Sequence, residues 1–546
     1  MDKSVLALIG GWGMGSWVGK AIPRVDAFAK VTGRARFTGD LKLPGMLYGK
    51  ILRSPWPHAR IRAIDLKGAS ELPGVHAVLS REDFEPGGIF HGVTHYGPSL
   101  RDRPVIALDR VRYAGEPVVA IAASDEWIAE EALSRVGIDY EVLPAVSSIE
   151  EALCPGAVLV HERLAEPGSI FGVDWGEHQP QFNICCACER EHGDVETAFA
   201  EAYRVFEDRY TFPAVYHYAM EPHAVLARWD REDLEIWSSA QHPYMVRHDL
   251  SQLFGLPLNR VRIHTPYLGG GFGSKSFIKA EPLVAALARK AGQPIMVQFS
   301  VEEAFATNRR HGAAVDIRTA VTRDGRILAR ECTLHLDTGA YADNGPRVAR
   351  QAAWRVLGPY RTPAFRVRSY AVYTHTAPAG SFRSIGAPQA VWAGESQLDR
   401  IADELGWDAL EFRLKNLPRS GESFRPGLKP LDADIAGSLE LLADMIDWRP
   451  RDRKGISCSL TGAGGGPVST AIIRGHADGH FTLYAGSTEM GQGVRTVHVQ
   501  IAAETLGVSP EKIRSLEPDS ERTPFDMSTG SSRSTTVMGT AVLRAA

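Results

Sequence analysis

The sequence predicts an α+β protein made of several α/β units, and three observations carry that reading. The chain is 546 residues long, past the roughly 250 to 300 residues at which one hydrophobic core stops growing, so three or four units are expected. Between Ile51 and Val146, short β-rich pieces such as Val118-Val-Ala-Ile-Ala-Ala123 alternate with helical stretches such as Glu126-Trp-Ile-Ala-Glu-Glu-Ala-Leu-Ser134, the pattern of a compact α/β domain. A unit of strand, glycine-bearing turn and helix also occurs twice. It appears first around Tyr267-Leu-Gly-Gly-Gly-Phe-Gly-Ser-Lys275 and again around Met490-Gly-Gln-Gly493.

Taken in order, the chain opens on an uncharged stretch, Ser4 to Gly19, interrupted by Gly10, Gly11, Gly13 and Gly15. It shows no small-residue cleavage site and falls short of the ~20 apolar residues that a membrane span needs. After the Ile51 to Val146 unit, Pro155-Gly156 marks a linker. Cys185-Cys186-Ala187-Cys188 matches neither zinc nor iron–sulfur ligand spacing and reads as a Cys-rich strand. Strand-like runs follow around Tyr210 and Ile236, then the first glycine loop with a helix over Glu281 to Lys290, a strand group from Ala314 to Tyr341, and a helix from Gln389 to about Leu405. The Pro418 to Pro430 passage, rich in Pro, Gly and Ser, marks the next boundary. Beyond it come the strand Phe481 to Ala485, the turn at Met490 to Gly493, and a helix from Thr496 to Leu506. No short-period repeat indicates a solenoid.

Composition narrows the function. With 44% apolar residues, 23% charged residues and a net charge of −4, the chain reads as soluble and globular, without a basic surface for nucleic acid. Six cysteines in such a length do not make a disulfide scaffold, which points to reduced thiols and the cytoplasm.

The first glycine loop is the most informative segment. Three consecutive glycines bare the backbone, so N–H groups can converge on phosphate or oxo oxygens, particularly where a helix follows. A P-loop needs Gly directly before its Lys, whereas Ser274 precedes Lys275 here, and the dinucleotide-binding spacing of glycines fails too. A plain strand-to-helix turn remains the alternative for such a cluster taken alone.

The glycine loop, Ser381-Phe-Arg-Ser-Ile-Gly-Ala-Pro-Gln389 and Met490-Gly-Gln-Gly493 together resemble the molybdenum-binding large subunit of the xanthine dehydrogenase, aldehyde oxidase and carbon monoxide dehydrogenase family. Lys30-Val-Thr-Gly33, Arg53-Ser-Pro55, Tyr113-Ala-Gly-Glu-Pro117, Met220-Glu-Pro-His223, Asp337-Thr-Gly-Ala-Tyr341 and Ser532-Arg-Ser-Thr535 extend the likeness almost end to end. The resemblance implies a tail over residues 1–19, a hammerhead-like α/β domain over 20–150, a first molybdopterin-binding domain over 151–425 and a second, incomplete one over 426–546. It implies hydroxylation with oxygen taken from water, the cofactor supplying the redox chemistry while the protein orients and polarises. The cofactor is expected to be molybdenum–molybdopterin in its cytosine dinucleotide form. The metal is held through the pterin, with no protein side chain as ligand.

By motif matching, Gln241 and Arg383 belong to the catalytic end of the site. The backbone of Gly270, Gly271, Phe272 and Gly273 lies at the cofactor, and Gly491, Gln492, Gly493, Ser532 and Arg533 contact the pterin and its pyrophosphate, roles suited to amide, hydroxyl and guanidinium donors. Alone, Gln241 reads as a strand-end polar residue and Arg383 as a surface ion-pair partner. His217, Glu221 and His223 resemble a metal trio by residue type, but the family places a structural segment there.

The chain also departs from the family. Relatives carry a catalytic Glu in a Gly-rich motif near their C-terminus, acting as general base; no such motif occurs here, and Glu489 and Glu395 do not match its context. The chain is therefore expected to be either a split subunit completed by a second molybdopterin-binding polypeptide, or a truncated, inactive homologue or binding and assembly module, and to hold cofactor poorly alone. Ser276 stands where purine-oxidising relatives have Glu, and Gly380 where carbon monoxide-oxidising relatives have a copper-holding Cys. Both substrates are disfavoured, leaving an aldehyde, an N-heteroaromatic or an aromatic thioester as the small-molecule substrate. No iron–sulfur cysteine run or flavin motif occurs, so a 2Fe-2S small subunit and an FAD medium subunit are the expected electron-carrying partners.

Overall fold

The computed structural model describes residues 17–90, 94–163, 165, 183–425, 429–449, 453–460, 466 and 468–546. Most of the Ser4 to Gly19 stretch and residues 426–428 of the Pro418 to Pro430 passage lie outside these described residues.

Helices and sheets are mixed throughout, as an α+β chain requires. A seven-stranded sheet runs in the order Val261–His264, Asp233–Ser238, Ala224–Asp230, Ile295–Gln298, Leu47–Arg53, Pro117–Ala123, Val75–Leu79. Pro117–Ala123 is an unbroken apolar run and is buried along its length after Pro117, which a strand covered on both faces demands. Asp125 then caps the helix Glu126–Ser134 by accepting a hydrogen bond from the Ile128 N–H. The helix Glu281–Ala291 lies on the same sheet with Leu283, Val284 and Leu287 buried, and it ends on Gly292 in the left-handed conformation, φ 65°.

This sheet joins chain segments that the sequence reads as separate units. Leu47 and Tyr48 pair in parallel with Ile295 and Met296, so the Leu47–Arg53 edge is covered by a strand from beyond the first glycine loop. Gly49 makes the junction possible, because a Cβ there would stand 2.5 Å from Val297 Cγ2.

A five-stranded sheet runs Arg204–Phe212, Gly312–Val321, Ile327–Gly339, Ala364–Tyr373, Ile184–His192. The helices Gly345–Arg355 and Ala387–Leu405 fill its core with small residues, among them Ala349, Ala352, Ala390 and Ala393. Cys185, Cys186 and Cys188 lie in its edge strand, the first two buried, and no disulfide joins any of the six cysteines. Burial holds the Cys185 thiol well above its ordinary pKa, so it is a packing residue rather than a nucleophile.

A third, smaller sheet orders Ala471–Gly475, Phe481–Ala485 and Ile513–Ser515. The helices Val494–Leu506 and Gly539–Ala545 cover it through Val499, Ala502, Ala503 and Val542. Among the described residues no helix is long and apolar enough to cross a membrane.

Candidate functional site

Five segments distant in sequence converge at the first glycine loop. Leu268 N–H donates to Glu489 O at 3.1 Å, which joins the two glycine-bearing turns directly. Arg383 N–H donates to Phe272 O at 2.7 Å, and Gln241 N–H donates to Lys275 O at 2.7 Å. Gln241 is buried, and its side chain bridges two of these segments. Its Oε1 accepts from Gly273 N–H at 2.8 Å, and its Nε2 faces Thr529 O at 3.5 Å.

The glycines are required by space as well as by conformation. Gly273 has φ 111°, and a Cβ there would lie 2.4 Å from Ser381 O, while a Cβ on Gly271 would lie 2.6 Å from Gln241 Oε1. Phe272 itself adopts φ 54°, a region that bulky residues rarely enter and that marks constrained sites. The N–H groups of Gly270, Gly271 and Phe272 find no acceptor among the described residues, and the buried Thr488 Oγ1 in the facing turn has no partner there either. Bare amides, a bridging carboxamide and the exposed Arg383 side chain form a donor set that fits an anionic, oxygen-rich group.

Met220-Glu-Pro-His223 supports the loop rather than forming a metal trio. Glu221 Oε2 accepts from Gly269 N–H and from Lys275 Nζ, each at 2.8 Å. His217 Nε2 meets Ser381 O at 2.7 Å, and His223 Nε2 meets Ser274 O at 3.3 Å. Among the described residues no group of three or more His, Cys, Asp and Glu side chains is arranged to hold a metal ion. Burial pushes the His217 imidazole down to about 4 and those of His223, His242 and His311 to about 3. The loop is thus backed by neutral rings. Burial also lowers the Lys275 ammonium, against the opposing pull of Glu221.

In two places the structure assigns expected ligand groups to internal bonds. In the second turn, Gly491 and Gly493 N–H both donate to Glu489 Oε1, at 2.9 and 3.1 Å, and Gln492 folds its amide onto Met490 N–H and Thr488 O. Gln492 is exposed and keeps a second amide N–H to offer. Arg533 is buried in a salt bridge with Asp526 at 2.6 Å and bonds to Val468 O, Ser469 Oγ and Ser528 O. It therefore shapes the 529–532 turn, in which Ser531 and Ser532 both have φ 54° and Ser532 is exposed.

Sequence reasoning missed two supports. Glu489 orders the second turn and the start of helix Val494–Leu506, and Arg24 reaches it at 3.0 Å while also donating to Gly491 O. Only the Glu before a glycine turn was a visible signal; nothing in the sequence ties Arg24 to a residue 465 positions away.

Gln241 is followed at once by the helix Pro243–Leu253, and that helix carries a titrating group. Asp249 is buried with Oδ2 unpartnered, and burial raises its carboxyl to about 8. The folded protein keeps a proton that the unfolded chain releases near pH 4, so this group makes stability fall as pH rises from about 4 to about 8. Asp249→Asn is expected to raise the Tm above pH 8 and leave it nearly unchanged near pH 4, as thermal melts across that range will show.

Comparison with known proteins assigns three parts of the chain. Residues 32–144 match the a/b hammerhead domain of aldehyde oxidase and xanthine dehydrogenase, and residues 177–417 and 441–546 each match a molybdopterin cofactor-binding domain. A xanthine dehydrogenase molybdenum-binding subunit of Escherichia coli is 33% identical over 551 residues, a match that covers 96% of this chain and 70% of that protein. The nicotinate dehydrogenase large molybdopterin subunit of Eubacterium barkeri is 33% identical over 412 residues, 75% of this chain and 91% of that protein. The aldehyde oxidoreductase structure from Desulfovibrio gigas superposes with a TM-score of 0.88 at 26% identity, covering 99% of this chain. This chain spans 62% of the length of that protein.

Proposed function

This chain belongs to the molybdenum-binding large subunits of the xanthine dehydrogenase, aldehyde oxidase and carbon monoxide dehydrogenase family, and we propose that it holds molybdenum–molybdopterin where its two glycine turns meet. The observation that carries this reading is the convergence of Gln241, the bare Gly270 to Gly273 backbone and Arg383 on one point, backed by uncharged histidines. When bound, the group supplies two-electron redox chemistry that no side chain here can perform.

The protein's part is to bind and orient. The Gln241 amide and the Phe272 and Gly273 backbone fix the metal end, and Arg383 faces the metal or substrate. Gly491, Gln492, Gly493 and Ser532 line the pterin and pyrophosphate end, in the cytosine dinucleotide form, with Arg533 holding the turn in shape. Among the described residues, the carboxylates at this junction, Glu221, Glu489, Asp343 and Asp526, are each ion-paired rather than poised to act as base. The general base is proposed to come from a further molybdopterin-binding segment or polypeptide, corresponding to the part of the relatives that this chain does not span.

The substrate reading is an aldehyde or an N-heteroaromatic, hydroxylated with oxygen from water. Electrons would pass to iron–sulfur and flavin partner subunits in the cytoplasm. Gly380 supports setting carbon monoxide aside, because a Cβ there would lie 2.7 Å from Asn308 Oδ1 and 2.8 Å from Asp343 Oδ1, so a cysteine would require both side chains to shift.

The test is molybdenum per chain by elemental analysis after co-purification from the native host, for the natural protein and for Gln241→Ala. Near one metal per chain, falling at least about tenfold in the variant, is expected if the lost bridge contributes on the order of 1.5–3 kcal/mol to binding. Metal-free natural protein in the presence of its partners would sink the proposal.

A further inference from the structure

A small cavity at the seam between the hammerhead domain and the first cofactor-binding domain has no part in the site described above. Its volume is about 20 Å³, and it is lined by Arg53, Arg103 and Glu116 from the hammerhead side and by Lys279, Phe299 and Thr307 from the other. That volume takes one water-sized group, and a cavity with so polar a wall does not stay empty.

Two guanidinium groups at this cavity have donors to spare. Arg103 is only 7% exposed. Its Nη2 donates to Tyr113 OH at 3.4 Å, and its Nη1 is buried and meets no acceptor among the described residues. Arg53 lies over the Phe299 ring at 4.7 Å. Its Nε donates to Glu303 Oε1 at 3.2 Å and its Nη1 to Gly115 O at 3.0 Å, while Nη2 is buried without an acceptor.

The acidic groups around the cavity are already engaged. Arg53 is paired with Glu303 and Lys279 with Asp343, whereas Arg103 forms no ion pair among the described residues. Glu116 accepts from Arg112 N–H at 2.6 Å and from Tyr341 OH, and burial raises its carboxyl above the ordinary value. Arg103 is thus a desolvated cation with no close counter-charge, a costly state that water relieves only in part, because a neutral molecule leaves the charge in place. An anion answers both the charge and the unmet N–H groups.

We propose that this cavity is a binding site for one small monovalent anion, chloride, held by Arg103 and Arg53 at the seam of the two domains. The volume suits a halide ion and is too small for sulfate, phosphate or an organic carboxylate. Bound there, the ion touches both domains, and Lys279 in the cavity wall follows closely on Lys275 of the first glycine loop. Chloride therefore fastens the seam beneath the segment that leaves that loop. This holds whatever cofactor or substrate the protein takes.

Crystals of the protein grown in sodium bromide give the direct test, because bromide enters halide sites and its anomalous scattering tells it from water. A peak in the cavity within hydrogen-bond reach of Arg103 is expected. Thermal melts of the co-purified protein are compared in sodium chloride and sodium gluconate at equal ionic strength. Chloride at a hundred times its dissociation constant should raise the Tm by about 2 °C over gluconate, the shift that ligand linkage gives a chain of this length. Arg103→Met should melt alike in the two salts. A cavity without an anomalous peak would overturn the proposal. A peak with melting indifferent to chloride would mean an adventitious ion only, and would overturn it as well. So would a chloride effect that persists in Arg103→Met. If that variant does not fold, the peak and the chloride dependence of the unaltered protein decide between them.

Discussion

Gly273→Ala is expected to strip the protein of its cofactor while leaving most of the fold intact. At φ 111° an alanine is strained whatever its surroundings, and its Cβ would also meet Ser381 O at 2.4 Å and Ser381 C at 2.8 Å. Backbone cannot rotate aside as a flexible side chain does, so the loop and the Ser381 to Arg383 segment must separate. That separation breaks Arg383 N–H to Phe272 O and pulls Gly273 N–H from Gln241. The backbone strain costs about 1–3 kcal/mol, and the two hydrogen bonds about 1 kcal/mol each. Molybdenum content is expected to fall below about a tenth of the natural level, since 1.4 kcal/mol is already tenfold in an equilibrium. Circular dichroism should stay near native. Full metal retention would mean that the loop does not form the cofactor wall.

The largest effect on stability is expected at Arg413, far from the site. Arg413 is fully buried and bonds through Nε to Glu395 Oε2 at 3.0 Å and through Nη1 to Asp399 Oδ1 at 2.7 Å. Glu395 also accepts from Tyr360 OH at 3.1 Å and from Cys458 N–H at 2.8 Å. One ion pair therefore ties the helix Ala387–Leu405 to the helix Ala409–Asn416 and to the segment beyond residue 453. Arg413→Met leaves the Glu395 carboxylate buried without its cation, a loss of about 3–5 kcal/mol, and urea unfolding should report it. The double variant with Glu395→Met should recover part of this. Recovery stays incomplete because Tyr360 OH and Cys458 N–H lose their acceptor. A single variant as stable as the natural protein would show that the pair contributes nothing net.

Much of the fold was legible because local signals agreed with it. Val118 to Ala123 is an apolar run that became a buried strand, and Glu126 to Ser134 became a helix with those bounds behind an Asp cap. The helix read from Gln389 begins slightly earlier, at Ala387, because Gly386 at φ 71° supplies its start. What stayed hidden were pairings across long separations. No pattern in Leu47 to Arg53 tells that it will pair with Ile295 and Met296, since register between distant strands is set by which edges are left uncovered. Likewise, Gly491, Gly493 and Arg533 look like ligand donors in sequence, yet protein carboxylates answer them. A donor's chemistry is readable from its residue type, but whether a partner already holds it is not.

By itself, the sequence determined the family, the α+β class and the positions of both glycine turns, because glycine clusters and apolar periodicity are local properties of the chain. The tertiary structure alone decided that Leu268 meets Glu489, that Gln241 spans to Gly273, and that Arg24 reaches Glu489. These contacts bridge segments tens to hundreds of residues apart, and their geometry exists only after the separate cores have packed and fixed where each loop ends.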